Sequence, residues 1–173
     1  EKDANASFFM AERYYSMDSL NQSLNGDGQN LGMIDIADEF GSTKVGNQAK
    51  YYAGRILLEQ GKYSEALDYL EDASFDDELL SAQIITLIGD CHSEMEEFEE
   101  AGDLYMKAAN SRENDLTTPY ALAKAGIAYE EAKNYEDALD AYEKLSADYK
   151  NTPSAVQVEA RIGRVKAKMA SSK

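Results

Sequence analysis

The feature that most constrains the fold is a pattern of small and aromatic residues that occurs three times without a gap. Each copy reads G-x8-[YF]-x2-A-x3-[LY]-x2-[AL], and the three copies begin at Gly54, Gly89 and Gly126. Self-similarity at this period is typical of repeat architectures, in which a unit buries its apolar face only against its neighbours. The chain is therefore expected to be a stack of similar units.

The spacing within each copy predicts two antiparallel helices joined by a short turn, because residues three, four and seven apart share a helix face. Turns are expected at Gly61-Lys62, Glu96-Glu97 and Lys133-Asn134. The glycine is expected to face the alanine of the second helix, which lets the two axes approach closely. Residues four and seven after the alanine are expected to bury against the next repeat. Every periodic stretch has the helical period, so we predict about ten helical segments and no sheet.

This pattern resembles the tetratricopeptide-repeat (TPR) family, whose repeat has 34 residues with small residues at its eighth and twentieth positions. The resemblance covers residues 47–153, with repeats at 47–80, 82–115 and 119–152. It implies an all-α, TPR-type α-solenoid of antiparallel helix pairs that forms a single domain over residues 1–173. The chain departs from the family at the early tryptophan and the late proline, where it has Lys50, Ile85 and Leu122, and Glu78, Glu113 and Lys150.

The two ends of the chain are less regular. Residues 1–46 are interpreted as a degenerate repeat with an insertion, made of a helix at 4–16, a short helical piece at 19–24, a turn at 25–28 and a second helix at 29–40. In that second helix Gly32 takes the place of the alanine. At the other end Gly163 lies 37 residues after Gly126. Residues 153–173 are therefore predicted to hold a capping helix, from about 153 to 168, that lacks a partner.

The N-terminal region resembles a narrower group. The runs YYSMDSLNQSLNGDG, DIADEFGSTKVGN and AKYYAG are similar to the N-terminal part of single-pass membrane-tethered periplasmic TPR proteins of Gram-negative bacteria. In that group a transmembrane helix holds the repeats on the outer side of the inner membrane. The resemblance implies a removed N-terminal anchor, a periplasmic location and a role beside protein-export or envelope-maintenance machinery. A cytoplasmic location is the alternative.

Charge limits the classes of partner. The formal net charge is −16, and such a surface repels phosphate backbones and anionic headgroups, so neither nucleic acid nor direct membrane contact is expected. No stretch approaches 18 apolar residues, the length needed to span a bilayer. The charge is uneven, because residues 154–173 carry five basic groups against Glu159: Arg161, Arg164, Lys166, Lys168 and Lys173.

Residues that could carry chemistry are few. Cys91 and His92 point about 100° apart on a helix and cannot chelate together. A zinc site needs three or four converging ligands, so His92 is interpreted as an interface residue. The acidic run at 94–103 is interpreted as a solvated surface, and the turn at 25–28 has Gly32 or Ile34 where a calcium loop needs its closing acid. We expect no enzyme activity, no metal and no cofactor.

A protein or peptide partner is expected on the concave wall formed by the first helices. Affinity should centre on Tyr51, Tyr52, Tyr120 and Arg161, because aromatic residues and arginine dominate interface energetics. Arg161 and Arg164 favour an extended ligand with an acidic stretch, whereas either Tyr51 or Tyr52 alone could instead pack against the N-terminal repeat. The full set of wall positions is Gln48, Tyr51, Tyr52, Arg55, Gln83, Thr86, Leu87, Asp90, Tyr120, Lys124, Ile127, Gln157, Arg161 and Arg164.

The sequence thus predicts a non-enzymatic protein–protein interaction scaffold or adaptor. Some TPR domains clamp a terminal carboxylate with a Lys/Asn/Arg set on this wall. That set is not found at the corresponding positions, which are Gln48, Tyr52, Arg55, Gln83, Leu87 and Asp90. A structural module that associates with itself and takes no peptide is the alternative function, and the oligomeric state is left open.

Overall fold

The computed structural model describes residues 2–171, with side chains described from Ala4 onward. Lys173, one of the five basic groups counted above, lies outside the described residues. The described part contains ten α-helices, one 3₁₀ turn and no strand, which confirms the predicted all-α class. The chain divides into two compact units, unit 1 at residues 1–75 and unit 2 at residues 76–173. The expectation of a single domain stays a prediction.

Unit 1 holds five helices: α1 Lys2–Ser16, α2 Leu20–Asn25, α3 Met33–Phe40, α4 Lys44–Glu59 and α5 Tyr63–Asp72. Helix α1 packs against α2 and α3, α3 against α4, and α4 against α5. The buried Ser23 hydroxyl donates to the Ala11 carbonyl at 2.8 Å and ties α2 to α1. The side chain of Asn47 pairs with the backbone of Ser74, which holds the start of α4 near the segment that follows α5.

The second helix of the degenerate repeat is shorter than expected. It begins at Met33, and Gly32 is its N-cap, so Gly32 does not occupy a mid-helix alanine position. A Cβ on Gly32 would lie 2.3 Å from the Leu24 carbonyl oxygen, so the close approach there is to the backbone at the end of α2. The preceding turn is confirmed. Its Asp27 carboxylate accepts bonds from the backbone of Gln29 and Asn30 and from the Tyr14 hydroxyl.

Unit 2 holds the regular repeats: α6 Glu78–Glu94, α7 Phe98–Ser111, α8 Thr118–Glu131 and α9 Tyr135–Asp148, followed by a 3₁₀ turn Pro153–Ala155 and α10 Val158–Ser171. Each α-helix packs against the next one along the chain. Fully buried side chains such as Leu122, Tyr142, Leu145 and Val165 join α8, α9 and α10 in one core. This order is the stacking that the sequence pattern predicts.

The framework glycines lie against the second helix, as the pattern predicts, and a Cβ on Gly54 would lie 3.2 Å from the Ala66 carbonyl oxygen. The atoms nearest to each glycine belong to the residue four positions after the alanine. A Cβ on Gly54 would lie 2.5 Å from Cγ of Leu70, and on Gly126 it would lie 2.3 Å from Cε1 of Tyr142. Gly89 faces the Tyr105 ring in the same way, at 2.8 Å. These large side chains therefore pack on the first helix of their own repeat. In unit 2, Tyr105 and Tyr142 also face the next first helix, since Lys124 lies 5.3 Å from the centre of the Tyr105 ring and Arg161 lies 5.8 Å from that of Tyr142.

The turn inside each helix pair lies where it was predicted. Gly61, Glu96 and Lys133 occupy equivalent positions and have φ of 74°, 63° and 61°. This left-handed region ends a helix and suits glycine, since other residues pay a steric cost in it. Unit 1 thus has the favoured residue at this position, and unit 2 twice has a residue that is strained there.

The capping helix does not begin at Pro153, so that part of the prediction is wrong. Pro153 opens the 3₁₀ turn instead, and α10 starts only at Val158. The intervening Gln157 has φ of 69°, a left-handed conformation that a continuous right-handed helix cannot contain. The 3₁₀ turn packs against α8. In the described part of the chain, nothing lies within 4 Å of a Cβ built on Gly163, in agreement with a terminal helix that lacks a partner.

Candidate functional site

A groove of about 430 Å³ lies in unit 2, and we call it the unit 2 groove. Helix α8 forms its main wall, because Tyr120, Lys124 and Ile127 are three or four residues apart and share one face. Ala123 and Ala128 of the same helix, together with Ser93, Tyr105 and Ser154, complete the lining. Tyr120 and Ile127 are 51% and 40% exposed, which is high for large apolar side chains that line a groove. The groove therefore offers apolar surface to solvent.

The charge within the groove is neutralised. The Lys124 ammonium lies 2.7 Å from Oδ1 of Asp90, and the Tyr105 hydroxyl donates to the same oxygen at 2.6 Å. The ammonium also lies 5.3 Å and 5.2 Å from the ring centres of Tyr105 and Tyr120. Burial lowers the pKa of Lys124, but the hydrogen bond to Asp90, the charge of Asp90 and the Tyr120 hydroxyl together outweigh burial, and the pKa is raised. Lys124 therefore stays charged and is held between two rings.

Beside the groove, the buried carboxylate of Glu130 ties α10 to α8. Arg164 donates to it through Nε at 2.9 Å and Nη2 at 2.6 Å, and the Tyr142 hydroxyl donates at 3.0 Å. Lys168 lies 3.3 Å away. Burial raises the pKa of Glu130, but these hydrogen bonds together outweigh it and hold the pKa below its usual value. Arg164, predicted to meet the partner, is thus already engaged within the chain.

Arg161 has a different environment. Its guanidinium lies 3.4 Å from the Tyr142 hydroxyl oxygen and 5.8 Å from the centre of that ring. The side chain is half-buried. Within residues 2–171 no carboxylate forms an ion pair with it, in contrast to Lys124 and Arg164. The described contacts of the Arg161 cation are therefore with the hydroxyl and the ring of one residue, Tyr142.

The predicted wall residues of unit 1 form an aromatic cluster with α1. The Tyr52 ring lies 5.7 Å from that of Phe8, 5.1 Å from that of Tyr15 and 5.5 Å from that of Tyr51. Its hydroxyl donates to Glu12 at 3.1 Å, and burial followed by this carboxylate raises the pKa of Tyr52 to about 12. Packing against the N-terminal repeat, the alternative given above, is thus what the structure shows for Tyr52.

Of the other predicted wall residues of unit 1, only Gln48 is exposed to solvent. Tyr51 is only 8% exposed and packs edge-on against Phe75. Arg55 donates to the Tyr51 hydroxyl at 3.3 Å and lies over the rings of Tyr15 and Tyr51. Gln48 is exposed. Binding by any of these residues stays a prediction, and Gln48 has the most surface to offer.

Of the remaining predicted positions, Gln83, Thr86 and Leu87 lie on α6, and Gln157 lies directly before α10. Gln83 is exposed, and the half-buried Thr86 donates to the Ala82 carbonyl at 2.9 Å. Neither residue lines the unit 2 groove. The repeat pattern placed Tyr120, Lys124 and Ile127 on the wall. It missed the other lining residues, which are Ser93, Tyr105, Ala123, Ala128 and Ser154. Tyr105 comes from a second helix, and Ser154 comes from the link whose extra residues the 37-residue glycine interval had marked.

Cys91 and His92, the two residues considered as candidates for chemistry, both lie on α6. Nδ1 of His92 lies 2.6 Å from Oε2 of Glu97, so the imidazole joins α6 to the turn that follows it. Cys91 is buried, which raises the pKa of its thiol to about 11. Among the described residues no three His, Cys, Asp or Glu side chains converge as a metal site would require. Across the same residues, no helix is both long enough and apolar enough to cross a bilayer.

Sequence models of the tetratricopeptide repeat match residues 48–73, 82–115 and 120–152. Together these segments make up more than half of the chain, and they fall on the pairs α4–α5, α6–α7 and α8–α9. The chain therefore belongs to the tetratricopeptide-repeat family. This confirms the family to which the glycine, aromatic and alanine framework pointed.

Solved structures with a similar fold include two crystal structures of a Podosopora anserina protein that is described as a kinesin light chain with nearly identical TPR-like repeats. One has a TM-score of 0.71 at 12% identity and covers 99% of this chain and 89% of that chain. The other has a TM-score of 0.70 at 12% identity, with coverage of 96% and 87%. At this identity the likeness shows the fold alone. A search among curated protein sequences gave no match.

Proposed function

We propose that the chain is a non-enzymatic scaffold that holds a partner polypeptide, and that the unit 2 groove is where it holds an extended segment of that partner. Tetratricopeptide repeats are generally non-catalytic interaction modules whose stacked helices present binding surfaces. The observation that carries the proposal is the exposure of Tyr120 and Ile127 around a neutralised Lys124. An apolar side chain of the partner fits between these two residues.

The surroundings of the groove favour a peptide over other ligands. The formal charge of −16 disfavours nucleic acid. A tyrosine that is half exposed costs little rotamer entropy to immobilise and offers both a ring and a hydroxyl. An open groove bordered by two such apolar side chains accepts a chain that continues past it at both ends, whereas a small ligand would be poorly enclosed.

Selection from a random peptide library on the purified chain tests the proposal. The tightest selected peptide should bind Tyr120→Ala and Ile127→Ala about tenfold or more weakly, since truncation of a central anchor costs about 2 kcal/mol. Leu116→Ala is the matched control, because Leu116 is 81% exposed and does not line the groove. Selected peptides that bind both groove variants as tightly as the wild type would exclude this site.

We also propose that the scaffold lies in the bacterial envelope, tethered on the periplasmic side of the inner membrane and beside export or envelope-maintenance machinery. The support is the resemblance of the runs at 14–28, 35–47 and 49–54 to membrane-tethered relatives. Protease added to cells should leave the chain intact, and protease added to spheroplasts should cleave it. Recovery of the chain in the soluble cytoplasmic fraction would overturn the location and leave the groove proposal standing.

The alternative function, self-association without a peptide, is separated by sedimentation velocity. A scaffold of the proposed kind keeps its sedimentation coefficient as its concentration rises, and a self-associating module does not. The same measurement is made with the selected peptide added. If the peptide binds the groove of a monomeric scaffold, the protein should remain a monomer. A mass that doubles with concentration and fails to change with the groove variants favours the structural role.

A further inference from the structure

Successive first helices of unit 2 are joined by side-chain pairs at one constant offset. Lys124 on α8 bonds Asp90 on α6, and the two residues are 34 positions apart. Arg164 on α10 bonds Glu130 on α8, again 34 positions apart. In both pairs the later helix supplies the cation and the earlier helix supplies the acid. An offset of 34 therefore marks positions that face each other between neighbouring first helices.

The same offset gives Arg161 an apolar counterpart. Arg161 lies two residues before Gly163, as Lys124 lies two residues before Gly126. The residue 34 positions before Lys124 is Asp90, whereas the residue 34 positions before Arg161 is Ile127. The repeat thus places a cation at both positions and supplies the acid at only one of them. Ile127 itself lines the unit 2 groove.

Among the residues that the structure describes, no carboxylate pairs with the charge of Arg161. The Tyr142 hydroxyl donates its hydrogen to Glu130, so toward Arg161 this group can only accept. A guanidinium is always charged and has five N–H donors in a rigid fork. One contact at 3.4 Å to a phenol oxygen leaves most of those donors to water or to a ligand. A carboxylate is the group that such a fork binds best, with two parallel hydrogen bonds.

We propose that the partner supplies the carboxylate that the repeat omits, so that the scaffold selects an extended peptide in which an acidic side chain follows an apolar one. The apolar side chain lies between Tyr120 and Ile127, and the carboxylate bonds Arg161. This inference rests on the proposed function and adds the chemistry of the partner to it. It also gives an acid-binding position to a protein whose net charge is −16, since Arg161 is a local positive charge at the repeat position opposite Ile127.

The test is a comparison of peptides selected from one random library on four purified chains: wild type, Arg161→Gln, Arg161→Glu and Lys166→Gln. Wild type should enrich Asp or Glu next to a large apolar residue. Arg161→Gln should keep the apolar preference and lose the acidic one, and Arg161→Glu should replace it with Lys or Arg. Lys166→Gln is the matched control on α10, because Lys166 is paired with Glu143, and it should select the same peptides as wild type.

A binding cycle on one selected peptide gives the magnitude. Arg161→Gln should weaken binding about fivefold, and so should Asp→Asn or Glu→Gln in the peptide, as expected for a partly exposed ion pair. The two changes together should weaken binding no further than either alone, since they remove the same contact.

Two other outcomes are distinguishable. Peptides that depend on Tyr120 but show no acidic preference overturn this inference and leave the proposed function intact. A library that yields no peptide for wild type overturns both.

Discussion

The first helices of the two units carry polar or aromatic residues at the same repeat position and use them differently. Two residues before the framework glycine, α4 of unit 1 has Tyr52, whereas α8 and α10 of unit 2 have Lys124 and Arg161. Tyr52 is covered by the rings of Phe8 and Tyr15 from α1. Lys124 borders an open groove.

The difference teaches that a repeat pattern determines which way a side chain points, and that the neighbouring element determines what the side chain does. Unit 1 contains α1, an element outside the regular repeats, and α1 turns a wall position into a packing position. In unit 2 the corresponding surface keeps Tyr120 half exposed. Wall residues read from a repeat alignment are therefore binding candidates only where nothing else in the chain covers them.

The largest expected effect separates the two tyrosines. Tyr52→Ala should lower the free energy of unfolding by about 3 kcal/mol, because it removes a ring packed among three others and leaves a cavity. Tyr120→Ala should change it by less than about 0.5 kcal/mol, since the ring is half exposed. Urea denaturation followed by circular dichroism measures both. Equal losses of unfolding free energy in the two variants would contradict the contrast between a packed Tyr52 in unit 1 and an exposed Tyr120 in unit 2.

A second expected effect concerns how unit 2 holds its last helix. Glu130→Gln should cost about 2 kcal/mol at neutral pH, because it weakens charge-assisted bonds to Arg164 and Lys168. The pKa of Glu130 is lowered in the folded chain. The stabilisation that ionised Glu130 gives the folded chain is therefore fully present at a pH above its pKa in the unfolded chain. It is lost as the pH falls through the pKa of Glu130 in the folded chain.

The deficit of Glu130→Gln relative to wild type should accordingly shrink in acid, below about pH 4.5. Unfolding free energies measured from neutral to acid pH check this, with the neighbouring exposed Glu131→Gln as the control that should stay close to wild type. A deficit that is constant across the pH range would contradict the role given to the Glu130 carboxylate.

A third expected effect concerns a feature that the two units share, the close packing at the framework glycine of each helix pair. Gly54→Ala and Gly126→Ala should each destabilise by at least about 1 kcal/mol, because the added Cβ meets Leu70 or Tyr142. Gly163→Ala should stabilise by about 1 kcal/mol, as for an unobstructed helical glycine. Thermal melting of the three variants gives the signs. A stabilised Gly126→Ala would show that the Tyr142 ring can move aside.

The smallest expected effect lies at the turn inside each helix pair. Gly61→Ala in unit 1 should destabilise by about 1 kcal/mol, because alanine is strained at positive φ. Glu96→Gly and Lys133→Gly in unit 2 should stabilise by about 0.5 kcal/mol, since the relief of that strain exceeds the entropy lost by glycine. Differences in melting temperature report these changes, and the opposite sign in either unit would mean that other contacts decide the turn.

The helix pairs, their turns and their order followed from periodicity, because burial of one face determines which residues recur along a helix. Which residue fills the space beside a glycine did not follow, since Ala101 and Tyr105 share that face and only the helix crossing decides between them. The start of α10 was missed because a left-handed Gln157 has no signature in a non-glycine sequence.

The candidate groove was predicted in part. Tyr120, Lys124 and Ile127 came from the repeat geometry, since first-helix positions are equivalent from one repeat to the next. Tyr105 was interpreted as an inter-repeat packing residue and Ser154 as part of a continuous helix. Their place beside the groove depends on the helix crossing and on the 3₁₀ turn, which arise from packing between elements.

The constant offset between first helices also bears on how fast unit 2 folds. The bond from Lys168 to Glu130 joins residues 38 apart, and the other bonds between helices described for this unit span 34 or fewer. Contacts of such short sequence separation close small loops, so the entropy lost before they form is small and rates are high. Because each helix needs only its neighbours, folding can start at any pair and spread in both directions. A slow step in unit 2 is therefore not expected.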